Sequence, residues 1–194
     1  LVDAANSKKK GSDYTAMVVW GLSADGNYYL LDLVRDRLNL AERQKMLFDK
    51  VKQWSPSGVG YEDYGLGAID LQYIKEKLAE QNFRFSIKPL SGKRQKLEKR
   101  DRIGRLAPLF MEGRIILPKY GFYVTDSEGV PHDLVRALVE EEYVPFPVGV
   151  HDDMLDAMSR VLDEDMGVQF PRSRIEQKIK RIDSSKANAG TMWL

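Results

Sequence analysis

Apolar positions in the first part of the chain come in short blocks, and further along they recur at helical spacing. Leu1-Val2-Asp3-Ala4-Ala5 reads as the end of a buried strand that carries one acid. Residues 16–20 and 28–35 are two further strands, and Ser23-Ala24-Asp25-Gly26-Asn27 between them is a hairpin signal. Connections this short make the opening an antiparallel meander. Asn39 then stands as an N-cap with Glu42 three residues on, the pattern of a capping box. The helix it starts presents Leu47, Val51 and Trp54 inward, and Ser55-Pro56-Ser57-Gly58 ends it. Residues 59–62 are a fourth strand. Gly65-Leu66-Gly67 is a tight turn into a helix over 69–81, and residues 83–87 alternate as a fifth strand should.

The second half reads as helices with short extended pieces. Leu97, Ile103, Leu106, Ala107 and Phe110 suit a helix interrupted near Pro108. Residues 113–118 are a short strand, 120–129 a loop or hairpin, and Pro131 suits the first turn of a helix reaching Glu142. Pro145-Phe146-Pro147 forces an extended link into a last helix. On that helix Met154, Leu155, Met158, Val161 and Leu162 form one apolar stripe, with Asp152, Asp153, Asp156 and Arg160 on the opposite face. Strands alternating with helices after a meander predict an α/β fold, a mixed central sheet with helices on both faces. There is no internal repeat. One domain over 1–170 and a basic, then polar, partly disordered tail over 171–194 are expected.

Composition narrows the class. Apolar residues are 43% and charged residues 30%, the balance of a globular domain. No apolar run approaches the ~18 residues that mark a membrane span, so no membrane partner is expected, and no secretory leader is visible. With no cysteine, thiolate metal sites and disulfides are excluded. A net charge of +1 predicts no partner by itself. Its distribution does more: seven basic residues (Lys93, Arg94, Lys96, Lys99, Arg100, Arg102, Arg105) stand against Glu98 and Asp101. The chain opens on strand-like residues without an initiator Met, as a fragment of a longer protein would.

Candidate chemistry lies in the acids. Asp is disfavoured in strands and costly when buried unpaired, so Asp3 calls for a cation. Glu62 repeats the pattern at the end of the fourth strand, and strand ends at one sheet edge are where sites on such sheets are built. His151, Asp152, Asp153 and Asp156 crowd the start of the last helix. A plainer reading also exists there, acidic capping of a surface helix. Oxygen donors without thiols favour Mg²⁺ or Mn²⁺ over zinc. Two such ions ~4 Å apart activate a water and stabilise the leaving oxygen of a phosphodiester.

Taken in order, these residues resemble a known family. Asp3, then Ser12-Asp13-Tyr14-Thr15 after a glycine-containing loop, then Tyr61-Glu62-Asp63 followed by glycines, are the first part of the series. Leu106-Ala107-Pro108-Leu109-Phe110, Gly113-Arg114-Ile115, Leu117-Pro118 and His151-Asp152-Asp153 with Asp156-Ala157 complete it. Over roughly residues 1–165 the series is similar to the C-terminal nuclease domain of the large terminase subunit of tailed bacteriophages. The resemblance implies a ribonuclease H-like fold, related to Holliday-junction resolvases, and metal-dependent endonucleolytic cutting of concatemeric viral DNA during packaging. It implies Asp3 and Glu62 as first and second metal ligands. The third comes from the His-Asp-Asp-x-x-Asp run, Asp153 first, with Asp152 and Asp156 as alternatives. Asp13 is an auxiliary acid. His151 is a ligand, a water-orienting group, or a packing and capping residue. The family's ATPase domain, with its G-x-x-x-x-G-K-[ST] loop, has no counterpart here. Implied partners are that ATPase domain, the portal and the small terminase subunit, in the host cytoplasm and not in the mature virion.

Phosphates approaching an acidic site need neighbouring cations. The run 93–105 is the first candidate DNA contact, and Lys8-Lys9-Lys10 after Asp3 the second. A solvated helix face and a flexible loop are the plain alternatives. Neither run carries base readout, so double-stranded DNA would be held through phosphates. Three rivals remain: a resolvase-like nuclease of the same fold, a non-catalytic module docking on packaging proteins, and an actin-like ATPase. The docking module predicts that Asp3, Glu62 and Asp153 do not converge.

Overall fold

The computed structural model describes residues 1–5, 13–63, 67–90, 97–119, 121–125 and 129–173. The Gly65-Leu66 turn, Lys8, Lys9, Lys10, Lys93, Arg94, Lys96 and the tail from 174 onward lie outside them.

The opening meander forms as the alternation requires. Strands β1 (Val2–Asp3), β2 (Thr15–Leu22) and β3 (Tyr28–Asp36) pair antiparallel in sequence order. The β2–β3 turn closes with the amide of Gly26 donating to the carbonyl of Ser23 (3.0 Å), and Gly26 takes the φ of 86° that the turn needs. Helix α1 (Leu40–Trp54) starts in the capping box expected at Asn39 and Glu42 and ends at Ser55 in the left-handed region. Strand β4 (Val59–Glu62), helix α2 (Gly67–Glu80) and strand β5 (Ile87–Leu90) follow. Then come α3 (Lys99–Gly104), α4 (Leu106–Met111), β6 (Ile115–Ile116), β7 (Tyr123–Thr125) and β8 (Pro131–Asp133). Helix α5 (Leu134–Ala137) runs into a π-helical stretch (Leu138–Tyr143). Helix α6 (Asp153–Ser159) closes the described fold with a 3₁₀ turn (Arg160–Leu162).

Among the described residues six strands make one mixed sheet in the order β5-β4-β1-β2-β3-β6, with β7 and β8 forming a separate pair. β4 runs parallel to both β1 and β5. Period-2 alternation splits the core. Met17 and Val34 face Leu47, Phe48, Val51 and Ile74 of α1 and α2. Ala16, Val18 and Leu33 face Ile103, Leu106, Met154, Leu155 and Met158 of the later helices. The sheet is thus covered on both faces.

Three expected elements moved. The fifth strand is Ile87–Leu90 rather than 83–87. Phe83 and Phe85 alternate correctly, but both rings pack on Phe48 at 5.8 Å instead of flanking a paired backbone, and pairing begins at Val59↔Ile87. The helix expected from Pro131 starts at Leu134, because Pro131 sits in the short β7–β8 ribbon and Asp133 caps α5 through the amides of Val135 and Arg136 (both 3.1 Å). The break expected near Pro108 falls at Arg105 instead. Pro108 lies in the first turn of α4, where its missing N–H costs no helical bond.

Candidate active site

The register of two parallel neighbours builds the centre. Val2 of β1 pairs with Tyr61 of β4, so Asp3 and Glu62 leave the same end of the sheet side by side. Burial, a hydrogen bond to Glu62 and the charges of Glu62 and Asp156 hold the Asp3 carboxyl well above the usual carboxylate range, against the opposing pull of Lys99. Arg160 also ion-pairs with Glu62, and it reaches Asp163 at 3.2 Å.

Helix α6 supplies the other acids, and it is not the surface helix that acidic capping alone would make. All seven of its residues are buried. Asp152, at its N-cap position, makes no side-chain capping bond. Glu142 of the π-helical stretch does that work from outside, its Oε2 accepting from the amide of Leu155 at 3.0 Å. Asp156 is near enough for its charge to act on Asp3; it is gripped by Arg102, whose Nε and Nη2 donate to Oδ1 at 2.8 and 2.6 Å and whose Nη2 donates to Oδ2 at 2.7 Å. Lys99 Nζ lies 2.7 Å from Asp152 Oδ1 and 3.7 Å from Asp156 Oδ2.

Asp153 belongs to a second group, with Asp13, Asp152 and His151. Burial raises its pKa, Lys99 and His151 oppose that shift, and Asp13 and Asp152 add to it. His151 Nδ1 is 4.0 Å from Asp153 Oδ2, and its ring stands edge-on to Tyr14 at 5.3 Å. Among the described residues Asp153 Oδ2 is buried with no hydrogen-bond partner.

The expected residues therefore divide. Asp3 and Glu62 meet directly, Asp156 comes to them already paired, and Asp153 stands beside Asp13 and His151. Of the basic run, Lys99, Arg102 and Arg105 turn inward to Asp152, Asp156 and Asp163, while Arg100 is exposed. Sequence reasoning assigned no role to Arg160, since its partner Glu62 lies 98 residues away in the chain. It also missed a buried lock behind Glu62. There Arg43 holds both oxygens of Asp70 at 2.8 Å, Tyr61 donates its hydroxyl to Asp70, and Arg43 reaches the carbonyl of Leu38 at 2.8 Å. That lock ties α1 and α2 to β4.

The donor set suits a hard divalent cation: oxygen only, two carboxyl groups side by side at adjoining strand ends, and one buried carboxylate oxygen lacking a partner among the described residues. No group of three or more Asp, Glu or His side chains among the described residues is already drawn together in metal-holding geometry. Asp3 and Glu62 fit as the primary pair, whereas Asp156 is committed to Arg102.

A mixed β5-β4-β1-β2-β3-β6 sheet with acids at adjoining strand ends defines the class: a nuclease-type α/β domain with the ribonuclease H-like fold. The chain belongs to the terminase RNaseH-like domain family, whose model matches residues 1–164. Among solved structures it is similar to a Fowlpox virus resolvase determined with its substrate Holliday junction DNA. The two are 10% identical, with a TM-score of 0.45 over 80% of this chain and 93% of that one. No curated protein sequence matches the chain.

Proposed function

We propose that this domain is a metal-dependent endodeoxyribonuclease that cuts concatemeric viral DNA during genome packaging. The observation that carries the reading is that Asp3 and Glu62 leave the ends of parallel neighbouring strands side by side, with Asp156 of α6 near enough to act on Asp3. Asp3 and Glu62 would hold Mg²⁺ or Mn²⁺, with Asp153 turned in as third ligand and a second ion beside it. When bound, the cations would supply an activated water and charge stabilisation for the leaving phosphodiester oxygen.

The chain's own groups prepare that chemistry. Burial and the neighbouring Glu62 press Asp3 toward its neutral form until a cation meets it. Arg160 orients Glu62, and Arg102 holds Asp156 in place. Tyr14 and Asp153 hold His151 at the rim, where it would orient a water. Exposed Arg100, with Lys8, Lys9, Lys10, Lys93, Arg94 and Lys96, would contact phosphates of double-stranded DNA without reading bases. In the full packaging machine the domain would work beside an ATPase domain of the same polypeptide, the portal and the small terminase subunit, in the host cytoplasm.

Plasmid cleavage in Mg²⁺, Mn²⁺ or EDTA tests the reading. Nicking that needs a divalent ion and is lost in Asp3→Asn is the expected result. Cleavage that persists in EDTA, or is equal in both proteins, overturns it.

A further inference from the structure

Among the described residues Arg160, Arg102 and Lys99 face the acids, and they are not equivalent. Arg160 is 1% exposed and locked between Glu62 and Asp163. Arg102 is 11% exposed and fork-bonded to Asp156. Lys99 is 43% exposed, the first residue of α3, and can withdraw its ammonium into solvent without disturbing the core. That ammonium acts on both acid groups at once. It hydrogen-bonds Asp152, lies 3.7 Å from Asp156, and its field favours ionised Asp3 and Asp153. The influence is mutual: burial works against the charge on Lys99, but the Asp152 bond and the fields of Asp156, Asp152 and Asp3 outweigh it, and its pKa is raised.

A divalent ion beside Asp3 would meet this ammonium at short range, and like charges so close in a poorly solvated site repel strongly. We propose that Lys99 is a tethered counter-cation that holds the metal-free acids together and competes with the divalent ion for them, so that seating a metal displaces Lys99. This rests on the metal-dependent reading above. It gives α3 a second role: its first residue guards metal entry instead of gripping DNA.

The test is calorimetric titration of Mn²⁺ into the 194-residue chain as wild type, Lys99→Met, Lys99→Arg and Asp3→Asn, with thermal melting of each in EDTA. Met keeps the apolar stem of Lys99 and removes only its charge. Lys99→Met should bind Mn²⁺ about tenfold more tightly than wild type, through loss of a like-charge neighbour. Without metal it should melt lower by about 2–4 °C, the shift for roughly 1 kcal/mol at this chain length. Lys99→Arg should match wild type in both. Mn²⁺ binding that is abolished in Asp3→Asn but unchanged or weaker in Lys99→Met overturns this inference and leaves the metal site standing. No Mn²⁺ binding by wild type or Lys99→Met overturns both. Unchanged metal binding with lost DNA affinity in Lys99→Met also overturns it, and makes Lys99 a phosphate contact.

Discussion

Single side chains at this site are set against stability. The Asp3 carboxyl is pressed toward its neutral form by burial and by Glu62. An acid whose folded pKa lies above its unfolded value weakens the fold as pH rises through that interval. Asp3→Asn removes the charge and leaves an amide able to donate to Glu62. In EDTA at pH 8 the variant should melt higher than wild type, and the gap should close toward pH 4. A variant that melts lower at pH 8 would contradict the raised pKa of Asp3. Asp70 is the opposite case. Its charge is fully used by Arg43 and Tyr61. Asp70→Ala strands a buried guanidinium and should cost about 3–5 kcal/mol in urea unfolding. Asp3 and Glu62 were legible from the sequence because an acid at the end of an apolar strand is costly unless a proton or a cation meets it there. Asp70, Arg43 and Arg160 were not. Their partners lie 27 residues apart for Arg43–Asp70 and 98 for Arg160–Glu62, and nothing local announces such a meeting.

At the scale of elements, α6 is placed by its neighbours rather than by its own cap. Glu142, on the π-helical stretch, spends one oxygen on the Leu155 amide and turns the other to Arg35 Nε at 3.8 Å. Burial pushes its pKa up to about 7 from 4.5, the nearby charge of Asp153 adds to the shift, and the Leu155 amide and Arg35 oppose it. The folded protein therefore binds a proton that the unfolded chain releases, and stability falls as pH rises from 4.5 to about 7. The drop is on the order of 3 kcal/mol. Glu142→Gln should flatten chemical-denaturation stability across that window, and an unchanged slope would show that Glu142 does not carry it. Elements with a local signature were readable in advance: the Asn39–Glu42 capping box, the Gly26 hairpin and the apolar stripe of α6. The fifth strand and α5 shifted because tertiary packing decided them. Aromatic clustering on Phe48 took residues 83–85, and the cap at Asp133 set the helix start.

For the whole molecule, one sheet carries two cores and brings its acids to one end. The face lined by Met154 and Met158 holds α6 against β2, so core packing and site geometry are one problem. Met158 is fully buried. Met158→Ala should cost about 2–5 kcal/mol in urea unfolding. It should also slow cleavage more than an equally destabilising change on the α1 face, since only the former shifts the acids. Equal losses of activity would separate packing from positioning. The α/β class and the two-faced sheet followed from periodicity. The split of the acids into an Asp3–Glu62 pair and an Asp153 group did not, because it depends on which side chains meet across the fold. The decisive experiment is an anomalous difference map from crystals of the domain soaked in Mn²⁺. A peak shared by the carboxylates of Asp3 and Glu62, with the Lys99 ammonium moved away, is the expected result. A peak elsewhere, with Asp3 and Glu62 left side by side without metal, would refute the assignment of the metal to this pair.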